Sequence, residues 1–273
     1  MITMFNKKYN INETSILKPG IRATHISDKI KEFTKLKVLR LNNNLISKIS
    51  DDIADLIELE NLILFSNKII DITHLFMLPK LNELHLSSNF ISEIPLNTNM
   101  TKLKNLYLSR NKIKIIPSEI KQLIELELFY ISFNLLKEIP MELFQLPKLE
   151  SLALNNNMIN EIPDKLCTGN IKSLYLSHNR IRSIPDALYH ITTLEELEMD
   201  CNILQKISPM IKNLINLTFL TLSYNQLTHI PKEISLLKKL RIISISHNRI
   251  QEIPNEVMTI PNLMINYRGN NII

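Results

Sequence analysis

Residues 103–123 read LKNLYLSRNKIKIIPSEIKQL, and this stretch decides the fold. Its residues follow the pattern L-x-x-L-x-L-x-x-N-x-L-x-x-I-P-x-x-I-x-x-L, with isoleucine at the fourth leucine position. The alternation of Leu106 and Leu108 places both side chains on one face of a short strand, and the residue between them points to the opposite face. The proline-containing tract that follows predicts a short helical or 3₁₀ turn, with Ile120 and Leu123 facing the core.

The same pattern recurs along the chain, starting at Leu36, Leu59 and Leu81 and continuing to the C-terminal end. Its asparagine returns every 22 or 23 residues, at Asn44, Asn67, Asn89, Asn111, Asn134, Asn157, Asn179, Asn202, Asn225 and Asn248. A unit of this length is too short to enclose a core of its own, so each unit has to stack its leucines on its neighbours. The period therefore predicts a repeat solenoid.

The recurring asparagine stands where the chain leaves the strand and turns inward. Buried backbone groups in such a turn need hydrogen-bond partners, and an asparagine side chain can both donate and accept. We therefore predict that these asparagines form a ladder between neighbouring turns and serve as scaffolding.

A proline follows the same isoleucine in seven copies, at Pro95, Pro117, Pro140, Pro163, Pro185, Pro231 and Pro254. Proline suits the first position of a short helix, where its missing N–H is no loss. Pro209 is displaced by one residue, in the tripeptide Ile207-Ser208-Pro209.

The repeat resembles the leucine-rich repeat family over about residues 36–273. Its full unit is similar to the 23-residue intracellular class found in Ras-binding scaffolds and Scribble-type proteins. The copy that starts at Leu59 lacks the I-P pair and is closer to the 22-residue phosphatase-regulator type. The resemblance implies an α/β repeat solenoid, a right-handed curved array with a parallel sheet on the concave side and short helical or 3₁₀ turns on the convex side.

We predict two segments. Residues 1–35 form an N-terminal capping segment that includes a degenerate half-repeat, because Ile26–Phe33 mirrors Ile116–Leu123. Residues 36–273 form the array, with ten full repeats and a degenerate eleventh.

The eleventh unit, which starts at Leu263, does not keep the spacing of the others. A one-residue deletion places Ile265 and Tyr267 inward and Asn270 on the ladder, whereas an unchanged spacing turns Arg268 inward. We expect the deletion.

The composition excludes several kinds of site. The three glycines, at positions 20, 169 and 269, lie too far apart for a phosphate-binding loop. The chain has no H-E-x-x-H motif and no Cys/His cluster, and Cys167 and Cys201 are predicted to be reduced thiols. We therefore predict a protein that is not an enzyme and that has no cofactor and no metal site.

Charge and hydropathy bear on partners and location. The net charge of +5 is spread along the chain and forms no basic stripe, so we predict no nucleic-acid partner. No apolar run reaches the roughly 18 residues of a membrane span, and the first ten residues contain no apolar core of a signal peptide. We expect a monomer in the cytoplasm, which would be the host cytoplasm if the source is a virus or an intracellular microbe.

The solvent-facing strand positions are the candidate binding surface. Tyr107, Tyr130 and Tyr175 share one stripe, with Arg110 and Phe133 beside it, and tyrosine and arginine often dominate the energy of protein interfaces. Three carboxylates form an acidic cluster in the repeat that starts at Leu194, namely Glu196, Glu198 and Asp200. We predict that these eight residues contact a partner protein.

Two functions fit this surface. The first is a non-enzymatic interaction scaffold that binds a partner protein through the concave face. The second is a regulatory subunit of a signalling enzyme, such as a phosphatase or a component of a small-GTPase pathway, which binds by the same face and controls the enzyme.

Overall fold

A computed structural model describes residues 2–5, 7–95, 100–165 and 170–272. The chain forms two compact units, residues 1–135 and 136–273. In each unit, three-residue parallel strands alternate with short turns, and the leucines between them form the core. The predicted α/β repeat solenoid with a parallel sheet and 3₁₀ turns is confirmed.

The parallel strands of the first unit pair in register, so that Leu39, Leu62 and Leu84 are aligned across neighbouring strands. Each of these leucines is fully buried, as the alternation of the repeat predicts. The strands are β1 (Ile2–Met4), β2 (Lys7–Tyr9), β3 (Ser15–Leu17), β4 (His25–Ile26), β5 (Val38–Arg40), β6 (Lys48–Ile49), β7 (Asn61–Ile63), β8 (Glu83–His85), β9 (Asn105–Tyr107) and β10 (Leu128–Tyr130). Strands β1 and β2 form an antiparallel hairpin, and β4 pairs with β6.

The second unit repeats this arrangement, and Leu174, Leu197 and Leu220 are aligned and buried. Its strands are β11 (Ser151–Ala153), β12 (Ser173–Tyr175), β13 (Glu196–Glu198), β14 (Phe219–Thr221), β15 (Ile242–Ser244) and β16 (Met264–Asn266). All neighbouring strands from β11 to β16 are parallel.

Short 3₁₀ helices lie on the other side of the repeats, as predicted. In the first unit they span Asp28–Glu32, Asp51–Asp55, Thr73–Met77 and Ser118–Gln122. In the second unit they span Met141–Gln145, Asp186–His190, Pro209–Asn213 and Lys232–Leu236, and an α-helical turn spans Asn255–Met258. Among the described residues, none of these helices has the length and apolar character that crossing a membrane requires.

The prolines do not take the helical position that the sequence predicts. Five of them stand one residue earlier, at the N-cap, and these are Pro117, Pro140, Pro185, Pro231 and Pro254. The N-cap has an extended backbone, with φ −69° and ψ 150° at Pro117, and this φ is the one that the proline ring imposes. The displaced Pro209 occupies the first turn instead, and Ser208 caps it by accepting a hydrogen bond from the Met210 N–H.

The asparagine ladder is confirmed by its hydrogen bonds. Asn134 Oδ1 accepts from the backbone N–H of Ile113 in the preceding repeat at 2.9 Å. Its Nδ2 donates to the carbonyls of Leu108 and Ile131, both at 3.0 Å, so one side chain joins two turns. The same pattern of bonds recurs at Asn202.

The N-terminal segment contains more repeat structure than the half-repeat of the prediction. Strand β3 pairs in parallel with β5, which aligns Ile16 with Leu39, and Ile16 is buried. The hairpin of β1 and β2 lies before this strand, and its Tyr9 ring packs edge-on against Phe33 with centroids 6.0 Å apart. The segment therefore supplies a further strand as well as covering side chains.

The last repeat follows the frame with one residue deleted. Asn270 Oδ1 accepts from the Ile250 N–H at 3.0 Å, and its Nδ2 donates to the Ile245 carbonyl, which places Asn270 on the ladder. Ile265 pairs with Ile243 in the core register and is half-buried. Tyr267 takes the inward position of the frame, because its carbonyl accepts from Asn270 Nδ2 as that of Ile245 does from Asn248, but it is 41% exposed since no later strand of the described chain covers it.

Inside and outside positions differ in their contribution to stability. We expect Leu154→Ala to lower the free energy of unfolding by about 2–5 kcal/mol because it leaves a cavity. Asn157→Ala should cost about 1–3 kcal/mol because the Leu136 N–H loses its acceptor. Tyr130→Ala, at a half-buried surface position, should cost least. Chemical denaturation of the three variants tests this order, and it would be wrong if Tyr130→Ala were the most damaging.

Candidate binding surface on the sheet

The first unit carries a continuous row of aromatic rings on the exposed face of its strands. Phe65 and His85 have ring centroids 4.7 Å apart, His85 and Tyr107 are 4.8 Å apart, and Tyr107 and Tyr130 are 5.5 Å apart. These four residues, called the aromatic row below, come from consecutive repeats. All four are half-buried, so their edges remain open to solvent.

Arg110 and Phe133 lie together, as the sequence predicts. The Arg110 guanidinium stands 4.3 Å from the centre of the Phe133 ring, which is a cation–π contact. Both residues immediately precede a ladder asparagine and have left-handed backbones, with φ of 58° and 57°. Glycine adopts the left-handed backbone readily, whereas residues with a side chain adopt it at a cost in conformational energy. Arg110 and Phe133 are therefore held in a backbone conformation that is unfavourable for them.

That backbone is a property of the repeat. In all ten copies, the residue before the ladder asparagine has φ between 52° and 58°. Gly20 and Gly269 occupy the equivalent position in the first and last strands of the repeats, with φ of 68° and 70°. The sequence identifies this position as solvent-facing, but only the structure shows its left-handed conformation.

The electrostatics of the aromatic row centre on Glu83. Burial lowers the pKa of His85 below its ordinary 6.5, which favours the neutral ring, while Glu83 opposes this shift. Burial also raises the pKa of Tyr107, and Glu83 adds to that shift. Glu83 accepts a hydrogen bond from Asn61 Nδ2 at 2.9 Å, and it forms no ion pair with any described residue.

The second unit carries the acidic cluster. Glu196 and Glu198 are the first and last residues of β13, and Asp200 follows two residues later on the same face. The hydroxyl of Tyr175 donates a short hydrogen bond to Glu196. The Ser223 N–H donates to Asp200 Oδ1 at 2.6 Å, which fixes that carboxylate at the surface of the sheet.

Two of these carboxylates titrate unusually. Burial raises the pKa of Glu198, and the charges of Asp200 and Glu196 raise it further. Burial also raises the pKa of Asp200, against the hydrogen bonds from Ser223 that lower it. The cluster is therefore a place where negative charge is costly, and a cation brought beside it would be stabilised.

The second unit contains an aromatic pair that the sequence did not predict. Tyr224 and His247 stack face to face, with centroids 4.2 Å apart and planes 7° from parallel. A Cβ atom at Gly269 would lie 2.9 Å from the His247 ring, so the glycine permits the ring to lie flat against the last turn. Both rings precede ladder asparagines, and that shared repeat position was the available signal.

The predicted binding residues thus fall into two groups. The first unit holds Tyr107, Tyr130, Arg110 and Phe133, and the structure adds Phe65 and His85 to them. The second unit holds Tyr175, Glu196, Glu198 and Asp200.

No group of three or more His, Cys, Asp or Glu side chains placed to hold a metal ion occurs in the described part of the chain. Cys201 is a free thiol, and burial raises its pKa, which disfavours the reactive thiolate. Cys167, the other predicted reduced thiol, lies outside the described residues.

Comparison with protein-family models decides the family. A model described as leucine rich repeat matches residues 124–181, 147–204, 192–250 and 215–272, and a second model of the same description matches residues 102–123. The chain belongs to the leucine-rich repeat family. Domains of this family are generally non-catalytic and typically bind proteins or peptides. A search of curated proteins gives no significant match.

Solved leucine-rich repeat structures resemble the whole array. An internalin (InlF) of Listeria monocytogenes is 26% identical, with 95% of this chain and 82% of the internalin covered and a TM-score of 0.73. A leucine-rich repeat protein of Leptospira interrogans is 26% identical, with 92% and 77% covered and a TM-score of 0.61.

A plant receptor is also similar. The peptide hormone receptor RGFR1, solved in complex with RGF2, is 27% identical and has a TM-score of 0.75. The alignment covers 90% of this chain but 45% of the receptor, so the leucine-rich repeat chain spans less than half of that protein.

The raised pKa of Glu198 predicts a pH dependence of stability. A carboxyl whose pKa is higher in the folded state binds its proton more tightly there, so its contribution to stability falls as pH rises above 4.5, the ordinary value. We expect Glu198→Gln to increase the free energy of unfolding at pH 7 and the gain to shrink towards pH 4. Denaturation of both proteins from pH 4 to pH 8 measures this. Equal pH profiles for the two proteins would show that Glu198 has no raised pKa.

Proposed function

We propose that this leucine-rich repeat domain is a non-enzymatic interaction scaffold that binds a protein partner through the exposed face of its parallel strands. The aromatic row is the observation that carries the proposal. Four half-buried rings in contact, open to solvent along one edge, form a rigid apolar surface with polar tips. Such rings lose little conformational freedom when a partner binds, which is why they often dominate interface energies.

The two groups of residues have different roles in this proposal. Tyr107, Tyr130 and Tyr175 are anchor residues, and Arg110 and Phe133 extend the contact. The acidic cluster meets a basic patch on the partner and sets its orientation, since interface charges contribute mainly to specificity and association rate.

The similarity to RGFR1 supports a peptide or protein ligand, because that receptor was solved in complex with RGF2. For this chain the comparison supports the class of ligand alone, a protein or a peptide.

A cytoplasmic location is part of the proposal. It rests on the I-P tract of the 23-residue repeat, which resembles the intracellular class found in Ras-binding scaffolds and Scribble-type proteins, and on a chain with two cysteines. In that setting the protein would act as a monomer in signalling, without nucleic-acid or membrane partners.

The alternative is a regulatory subunit of a signalling enzyme, such as a phosphatase or a small-GTPase pathway component. The copy that starts at Leu59 favours it, because its Ile72-Thr73-His74-Leu75 tract is closer to the phosphatase-regulator repeat. The identity of captured proteins distinguishes the two functions, since a regulator recovers an enzyme whose rate changes on addition of the chain.

A capture experiment tests the binding face. Cytoplasmic extract of the native source is passed over the immobilised protein and over a folded Tyr107→Ala, Tyr130→Ala, Tyr175→Ala triple variant. We expect the triple variant to lose the partner, because truncation of a central anchor costs about 2 kcal/mol or more at a hot spot. Leu236→Ala, at an exposed position on a 3₁₀ helix, is the matched control. Partner capture by the triple variant at the level of the control would exclude the exposed sheet face.

The acidic cluster has a kinetic test. With the captured partner in hand, neutralisation by Glu196→Gln, Glu198→Gln and Asp200→Asn should slow association and weaken its salt dependence, with a smaller effect on dissociation. Stopped-flow measurements between low and physiological salt supply both rates. An unchanged association rate would remove the cluster from the binding site.

A further inference from the structure

The aromatic row has a spacing that selects among peptide conformations. Three of its rings, His85, Tyr107 and Tyr130, stand in register on consecutive strands, and two strand spacings of a sheet measure about 9.6 Å. A polyproline II helix has three residues per turn and advances about 9.3 Å in one turn. An extended β-strand presents side chains on one face about every 6.8 Å, which matches neither one strand spacing nor two.

This match places every third residue of a polyproline II segment over every second ring. His85 and Tyr130 are two strands apart and in register through Tyr107, whereas Phe65 lies two residues beyond the end of β7. A segment that runs across the strands can therefore seat successive turns on alternate members of the row. Strand addition is closed here, because β7, β8 and β9 are already paired on both sides.

The row also offers the hydrogen-bond donors that such a segment needs. A polyproline II backbone has no internal hydrogen bonds, so its carbonyls are open acceptors. The Tyr107 hydroxyl and the His85 ring make no hydrogen bond to any described residue, and they lie on adjacent strands. Because burial lowers the pKa of His85, its ring is neutral near pH 7 and keeps one N–H donor and one acceptor.

The charge beside the row points to a basic ligand. Glu83 is half-buried, and its negative charge raises the pKa values of both His85 and Tyr107. It forms no ion pair with any described residue. An arginine or lysine of the ligand would supply the missing cation. The His85 ring and the Glu83 carboxylate are thus two residues apart on the same face of β8.

We propose that the aromatic row binds a proline-rich segment of a partner protein in the polyproline II conformation, with a basic residue of that segment on Glu83. The proposal rests on the proposed function and names the kind of ligand that the first unit takes. Aromatic-lined surfaces are a general means of recognising this preformed helix.

Synthetic peptides test the proposal without knowledge of the partner. The probe is a fluorescein-labelled decaproline that begins with two arginines, and the control has the same arginines before five Gly-Ser repeats. We expect fluorescence anisotropy to show saturable binding of the proline probe, at least about tenfold tighter than the control. Equal affinity for the two peptides, or no saturable binding up to about 1 mM, would overturn the proposal.

Variants assign the contacts. Tyr107→Ala should weaken binding of the proline probe about tenfold, whereas Tyr224→Ala, which removes an exposed ring from the second unit, should leave it unchanged. Glu83→Gln should abolish the preference for the arginine probe over one that begins with two glutamates. Equal losses from the two tyrosine variants would place the peptide elsewhere and contradict the proposal.

The peptide and capture experiments distinguish a wrong ligand class from a wrong binding face. If the native partner is captured through the three tyrosines but the proline probe fails to bind, the ligand class is wrong and the scaffold function stands. If the triple variant captures the partner as well as the control does, and the folded protein does not bind the proline probe, the exposed sheet face is not the binding site.

Discussion

The hydrogen bonds of the ladder asparagines are the constraint on which the rest of each unit depends. Every repeat turns its backbone into the interior directly after a strand, and the exposed sheet can be short and regular only if those buried groups are satisfied. One asparagine closes its own turn and joins it to the preceding repeat, as Asn134 does through Ile113 and Leu108. The three-residue strands are then held in register by side chains and backbone together.

This constraint has a consequence for the surface. The residue before each ladder asparagine is forced into the left-handed region, and in ten copies a side chain is carried there at a conformational cost. Those side chains include Arg110, Phe133, Tyr224 and His247, which form the cation–π contact and the stacked pair. The same turn that completes the core thus also positions these four large side chains at the surface.

The two units display different chemistry on the same scaffold. The first unit presents contacting rings beside Glu83, a half-buried carboxylate that forms no ion pair with any described residue. The second presents three carboxylates, two of which have raised pKa values because burial and mutual repulsion disfavour their charge. The two surfaces therefore differ in chemistry, one aromatic and one acidic.

The sequence by itself determined the fold, the inside and outside positions, the ladder and the identity of most surface residues. These follow from the 22- or 23-residue period and from the alternation of buried and exposed residues along each strand. Both patterns are local in sequence and recur in all ten repeats. The tertiary structure decided what the period does not encode. Whether a proline stands at the N-cap depends on where each 3₁₀ turn begins. The strand Ser15–Leu17 forms because it pairs with β5. Tyr267 stays exposed because its burial would need a following repeat. The contacts of Phe65 and His85 likewise arise between repeats, where ring orientation is set by packing across strands and not by position within one repeat.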